Sequence, residues 1–337
     1  MNIRGFLCGS VVKNKDFNFT LNKINHRVTE GLAFFDFKQD QGDKLLIKTT
    51  LHQKNKHRER YNFPELIAAH AELAPFVRIN NYGDDSIDFA NPDAVMALNK
   101  ALLIHFYGIE NWSVPKGFLC PPIPGRAEYI HHVAEALFDN DNNPSIHCLD
   151  VGVGANCIYP IIGVVDYGWT FVGSDVELVS LENAQSIIDN NSVLNKKIEL
   201  RHQPKRNNIF QGVIQPEDRF DLTLCNPPFH RSAAEASAGS LRKVKNLGNK
   251  KRHSSVLNFG GQGNELWCEG GEIQFIQTMI QESTLFKNNC RWFTTLVSKK
   301  ENLIAIYKAL KNVVVKEVKT IEMQHGNKTS RVVAWRF

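Results

Sequence analysis

The chain has 337 residues, enough for one large domain or two ordinary ones. At 42% hydrophobic and 22% charged it has a globular composition, which excludes a fibrous or low-complexity protein. The net charge is only +5, yet residues 231–253 carry +6 and residues 52–60 carry +3, so two short basic segments stand on a mildly acidic remainder and point to local contact with a polyanion.

Residues 1–50 form a weakly patterned N-terminal extension of unknown role, in which Phe17, Phe19 and Leu21 alternate with polar residues. Helical spacing follows over 64–75 and over 92–106, with Pro92 at a helix start. Trp112–Pro124 is punctuated by prolines and reads as loop. Residues 126–138 place Tyr129, Ile130, Val133, Leu137 and Phe138 on one helical stripe. From 145 onward strands and helices alternate. Strands are expected at 145–151, 169–175, 197–203, 219–225, 291–298, 313–321 and 331–337, and helices at 155–164, 177–190, 270–285 and 300–311. This is the pattern of a doubly wound α/β sheet with helices on both faces, its last two strands an antiparallel hairpin at one edge. Residues 231–262, rich in Ala, Ser, Gly, Asn and Lys, read as a basic mobile loop. The expected division is the extension 1–50, a small mostly helical subdomain at 51–125 and the sheet domain at 126–337.

The seven cysteines include no Cys-x-x-Cys pair and lie partly in apolar runs, which suggests reduced, buried thiols and no zinc centre. No apolar run approaches the roughly 18 residues of a membrane helix. No cleavage pattern follows Phe6–Val12. A cytoplasmic protein without metal or membrane contact, working as a monomer, is expected.

Two strand ends carry chemistry. His147–Gly154 reads His-Cys-Leu-Asp-Val-Gly-Val-Gly: an apolar strand, Asp150, then Gly152 and Gly154 ahead of a helix. Glycines there let a ligand approach the backbone, but Cys157 stands where a dinucleotide fingerprint has its last glycine. Asp175 ends the next strand, where a carboxylate can accept both ribose hydroxyls of an adenosine or cap the following helix. Asp221–Phe229 reads Asp-Leu-Thr-Leu-Cys-Asn-Pro-Pro-Phe, a strand stopped by two prolines at the ligand edge of the sheet. An exocyclic amino group on an aromatic ring is a poor nucleophile because its lone pair is delocalised. The Asn226 side-chain oxygen and the Pro227 carbonyl are placed to accept its two N–H bonds and direct the lone pair outward, with Phe229 stacking on the ring.

The combination resembles the Rossmann-like, S-adenosylmethionine-dependent methyltransferases of the amino-methylating branch. That likeness implies the cofactor and a seven-stranded methyltransferase sheet. The tetrapeptide leaves adenine N6, guanine N2 and a glutamine amide open as acceptors. The glutamine type more often has Tyr at the position of Phe229, while His230 extends the motif in a way also similar to rRNA guanine-N2 enzymes. The flanking segments Leu51–Tyr61, Asp88–Ala101, Gly117–His132, Leu149–Pro160, Asn258–Glu272 and Trp292–Lys299 resemble the bacterial 23S rRNA adenine-N6 methyltransferases of the RlmF type over about 51–337. The resemblance implies transfer to a specific adenine N6 in 23S ribosomal RNA, naked or in a large-subunit assembly intermediate. A catalytically silent RNA-binding relative is the reading from another class. Carried over residue by residue, the cofactor would meet Arg126, Asp150, Gly152, Gly154, Asp175, Asn207 and Asn226. Asp175 is a shorter acid than the Glu frequent in relatives. Glu265–Glu272 would help shape the catalytic face, although acids at a helix start also suit the helix dipole. RNA phosphates would meet Lys54, Lys56, Arg58 and Arg60 before the sheet, and Arg242, Lys243, Lys245, Lys250, Lys251 and Arg252 in the basic loop.

Overall fold

Seven of the described strands close into one sheet with helices on both faces. The structure is a computed structural model that describes residues 51–138, 145–232, 234–235, 263–325 and 328–337. The extension 1–50 and most of the basic loop, including Arg242, Lys243, Lys245, Lys250, Lys251 and Arg252, lie outside the described residues.

Before the sheet, α1 (Phe63–Ala69) gives way to a 3-10 turn at Ala71–Phe76. The single helix expected over 64–75 is therefore broken. His70 is extended at φ −146°, and Pro75 in a continuous helix would collide with the carbonyl of Ala71. A small antiparallel hairpin, β1 (Arg78–Ile79) and β2 (Asp85–Ser86), follows. In α2 (Pro92–Tyr107) the Asn91 side chain accepts the N–H of Asp93 at the start, and left-handed Gly108 closes the end. The next helix, α3 (Ile123–Phe138), begins earlier than the expected 126 because Pro124 suits a first helical turn.

The sheet domain runs β3 (His147–Val151), α4 (Ile158–Tyr167), β4 (Thr170–Asp175), α5 (Leu178–Asp189), β5 (Ile198–His202), β6 (Phe220–Cys225), α6 (Gly271–Ser283), β7 (Cys290–Val297), α7 (Asn302–Asn312), β8 (Glu317–His325) and β9 (Lys328–Arg336). The spatial order is β5-β4-β3-β6-β7-β9-β8. The first five of these are parallel, and β9 runs antiparallel to both its neighbours, forming the expected terminal hairpin with β8. The strand expected at 313–321 starts later, at Glu317. Val313–Val315, strand-like in composition, is the exit of α7, and Val314 adopts a left-handed φ of 54°.

Alternation along the strands feeds two cores. Leu222, Leu224, Val332 and Ala334 face α2, α3, α4 and α5, whereas Cys225, Phe293, Val333 and Trp335 face α6 and α7. Helix α4 lies so close to β4 that a Cβ on Gly163 would stand 2.4 Å from the Phe171 ring. Because β3 pairs with β4 on one side and β6 on the other, the chain reverses direction across the sheet there. That leaves a crevice at the carboxyl ends of β3 and β6.

Residues 52–61 dock on the α3 side of the molecule. The buried Glu128 carboxylate accepts the His52 N–H (2.8 Å), the Asn55 side-chain amide (2.7 Å) and contacts His132 (3.2 Å). His57 lies between the hydroxyls of Tyr107 and Tyr61. These bonds fix α3, which reaches into the crevice.

Candidate active site

The turn after β3 is built from left-handed backbone. Gly152 has φ +74° and Gly154 φ +64°, values an L side chain rarely adopts. The N–H groups of Gly152 and Val153 both donate to the Ser174 carbonyl at 2.9 Å, which ties the turn to β4. A Cβ at Gly154 would also sit 3.2 Å from the Asn156 amide and 3.6 Å from Glu265 Oε1. Cys157, where a dinucleotide fingerprint would have glycine, is buried and itself left-handed, at φ 53°.

Asp175 closes this turn from the β4 side. Its Oδ2 accepts the Gly154 N–H and its Oδ1 the Glu177 N–H, both at 2.9 Å. Burial raises its pKa, and those backbone bonds oppose the shift. Both carboxylate oxygens are thus already engaged, so the expected contact to two ribose hydroxyls has to share them. Glu177, two residues on, also lines the crevice and pairs with Arg206 at 2.7 Å. Asp150 lies beneath the turn at 1% exposure, and neither carboxylate oxygen has a hydrogen-bond partner. Burial pushes its carboxyl up to about 8; the charge of Asp175 adds to the shift and Arg126 opposes it.

The opposite wall is the end of β6. Asn226 stands at the crevice with its side-chain Oδ1 buried and without a hydrogen-bond partner. Pro227 and Pro228 are buried and Phe229 is half-buried; of these three, Pro228 lines the crevice. The chain leaving the motif is zipped to a distant segment: the His230 N–H donates to the Leu266 carbonyl (3.0 Å) and the Cys268 N–H to the His230 carbonyl (3.1 Å). This brings Glu265, Trp267, Cys268 and Glu269 onto the wall. Glu265 also accepts the Leu119 N–H at 3.0 Å, drawing the proline-rich loop over the cleft. Glu272 turns away: its carboxylate accepts from the Ser298 and Lys299 N–H groups and the Asn302 amide, so its place is structural.

Arg126, in the first turns of α3, lines the crevice, donates to the Tyr159 hydroxyl at 2.9 Å and lies 5.5 Å above that ring. Asn207 lines it from the turn after β5. That turn is clamped from outside the cleft by Glu282 of α6, whose carboxylate accepts the N–H groups of Ile209, Phe210 and Gln211. The crevice thus gathers Arg126, Gly152, Gly154, Asp175, Asn207 and Asn226 around a cavity of about 320 Å³, the scale of small-molecule clefts. Asp150, Pro227 and Phe229 do not line it. Sequence reasoning missed Leu119, Gln203, Glu177 and Phe275 on its wall. Nothing local marks them, because each arrives from a different element.

The described basic residues are partly committed within the protein. Lys56 bridges to the buried Asp166 carboxylate at 2.6 Å and donates to the Phe106 carbonyl. Arg60 pairs with Asp84, and Lys54 lies 5.6 Å above the Tyr167 ring. Among the described residues, His52, His132 and Glu135 bring three possible metal-ligand atoms within 4.8 Å of one another. His52 Nδ1, however, accepts the Lys54 N–H, which leaves its proton on Nε2, facing Glu135. A metal-bound imidazole normally has the reverse arrangement, so this cluster reads as a polar staple. Among the described residues no helix is long and apolar enough to cross a membrane.

A family model described as RNA methyltransferase matches residues 45–337. The chain is 55% identical over 297 residues to the "Ribosomal RNA large subunit methyltransferase F" of Cytophaga hutchinsonii, which spans 87% of this chain and 92% of that one. It is 53% identical to the protein of the same name from Pectobacterium atrosepticum, over 86% of this chain and 94% of that one. Among solved structures it is similar to the catalytic domain of human METTL16 in complex with a MAT2A 3′UTR hairpin, at TM-score 0.71 and 28% identity, covering 85% of this chain and 95% of that chain. The N-terminal domain of human METTL16 in complex with SAH shares the fold at TM-score 0.68 and 24% identity, over 85% of this chain and 98% of that chain.

Proposed function

The chain belongs to this family of RNA methyltransferases, and on that premise we propose that it transfers the methyl group of S-adenosylmethionine to the exocyclic N6 of one adenine in 23S ribosomal RNA. The observation that carries the reading is the Asn226 Oδ1: a buried acceptor with no partner, on the wall of the cleft, where the strand stops. Leaving such an oxygen unpaired costs about 1–3 kcal/mol, which a bound amino group would recover.

S-adenosylmethionine supplies an electrophilic methyl group; the remaining work falls to this chain. Asn226 Oδ1 and the Pro227 carbonyl accept the two N–H bonds of the adenine amine and localise its lone pair. Phe229 stacks on the extruded base. Arg126, already braced on Tyr159, holds the cofactor's carboxylate. Gly152 and Gly154 give the close backbone approach. Asp175 orders the turn and would meet the ribose, Asn207 would face the cofactor from the same cleft, and Asp150 lies beneath the turn without reaching the cleft.

Residues 51–125 form the N-terminal RNA-contacting part, and 126–337 the catalytic domain. The basic stretch 231–253 leaves the motif directly, so its Lys and Arg side chains are suited to hold RNA phosphates over the cleft. The substrate is 23S rRNA or a large-subunit assembly intermediate, met by a cytoplasmic monomer.

Asn226→Ala tests the assignment. Transfer to large-subunit rRNA should fall roughly 100- to 1,000-fold, as for loss of one preorganised hydrogen-bonding group, while calorimetric cofactor affinity changes much less. A wild-type rate in the variant overturns the reading.

A further inference from the structure

We infer that Tyr129, a fully buried side chain of α3, is a positioning residue that sets the geometry of Asn226. The inference rests on the reading of Asn226 as the acceptor of the substrate amine.

The sheet itself shows where support is needed. Backbone pairing between β6 and β7 runs through Phe220, Leu222 and Thr223 and then stops, two residues short of Cys225. Beyond it the strands are joined by side chains. The Thr294 N–H donates to Thr223 Oγ1 at 3.1 Å, and Thr294 Oγ1 donates to the Thr223 carbonyl at 2.5 Å. On the other side β3 still pairs with Leu224 and Cys225. The end of β6 is therefore held from one flank and released on the other, which opens the cleft beside Asn226.

Tyr129 fills that gap. Its hydroxyl lies 2.7 Å from Thr294 Oγ1 and 3.3 Å from the Cys225 backbone nitrogen. Proton bookkeeping orients the chain. Thr294 spends its hydroxyl proton on Thr223, so it accepts from Tyr129, whose oxygen in turn accepts the Cys225 N–H. The result is a one-directional relay from the Cys225 N–H through two hydroxyls to the Thr223 carbonyl. It fixes the Leu224–Cys225 peptide, one residue before Asn226. Burial raises the Tyr129 pKa far above the ordinary phenol value, which keeps the hydroxyl neutral and able to play both roles.

The same helix ties this support to the opposite wall. Arg126 lies three residues before Tyr129, so the two share a face of α3. Tyr159 joins them, accepting from Arg126 and meeting the Tyr129 ring edge-on at 5.3 Å between centroids. One rigid element thus sets both the Arg126 wall and the Asn226 wall.

The test uses full-length protein with Tyr129→Phe, Thr294→Val and Thr294→Ser. Tyr129→Phe should lower kcat roughly tenfold, a modest fraction of what an ångström-scale misplacement costs. KM for RNA and the calorimetric Kd for S-adenosylmethionine should stay within about twofold. Hydrogen exchange in the peptide containing Cys225 should accelerate several-fold in the protein without RNA. Thr294→Val should follow Tyr129→Phe, and Thr294→Ser, which keeps the hydroxyl, should restore kcat. An unchanged kcat in Tyr129→Phe overturns the inference. So does equal behaviour of the Val and Ser variants, which would mark a purely structural role. If wild-type protein methylates no RNA, the reading of Asn226 fails on its own, while the exchange measurement still reports on Tyr129.

Discussion

Asn226 and Asp150 both carry buried oxygens without hydrogen-bond partners, and the reasons differ. Asn226 faces the cleft, so its oxygen is available to accept from a bound group. Asp150 lies under the glycine turn, where burial favours the neutral acid. The sign of its effect on stability follows. With its folded pKa raised to about 8, the folded state holds a proton that the unfolded chain releases near pH 4, so this group makes folding less favourable as pH rises between about 4 and 8. Asp150→Asn removes that dependence. The difference in melting temperature between variant and wild type should shift toward the variant from pH 5 to pH 8 and level off above; a constant difference would show that Asp150 does not carry the raised pKa. At this scale Asn226 was legible because two prolines after a strand leave few other local explanations. Asp175 was legible only as a residue at a strand end. Its bonds to the Gly154 and Glu177 N–H groups depend on a turn built on the left-handed backbone of Gly152 and Gly154.

Among the elements, the turn after β5 and helix α6 depend on each other through one side chain. Glu282 sits near the end of α6, and in the sequence it reads as an ordinary helical acid. In the structure it is 9% exposed and its two oxygens collect the N–H groups of residues 209–211, next to Asn207 on the cleft wall. Glu282→Gln places an amide N–H₂ against those donors and should destabilise the protein by about 1–3 kcal/mol in denaturant unfolding. Cofactor affinity should weaken several-fold because the wall loosens. An unchanged Kd would mean that the turn is held by other contacts. Helices with a clear apolar stripe, α3 among them, were readable from spacing. Boundaries failed where composition and conformation diverge: Val313–Val315 looks like strand but leaves a helix, and His70 breaks an apparent helix because Pro75 cannot sit within it. Glu265–Cys268 offered no local sign that it pairs beside the catalytic strand; that contact spans more than thirty residues of chain.

At the scale of the whole molecule, the alternation of elements after residue 145 conveyed a parallel α/β sheet with a terminal hairpin, because buried strands and amphipathic helices differ in period. Strand order is another matter. The reversal between β4 and β6 around β3, which creates the crevice, follows from how crossovers pack and leaves no mark on any single segment. The charge pattern was readable as a sum but not as a location. Lys56 and Arg60 pair with Asp166 and Asp84 within the protein, a commitment that the run of charges does not reveal. The fold, the glycine turn and the lone Asn226 oxygen converge on amino methylation, and similarity to the large-subunit methyltransferases points to the base. Mass mapping of modified nucleosides in large-subunit rRNA from cells lacking this chain tests that convergence most directly. One N6-methyladenine should be missing, restored by the wild-type gene and not by Asn226→Ala. Retention of every N6-methyladenine with loss of an N2-methylguanine, or full restoration by Asn226→Ala, would contradict it.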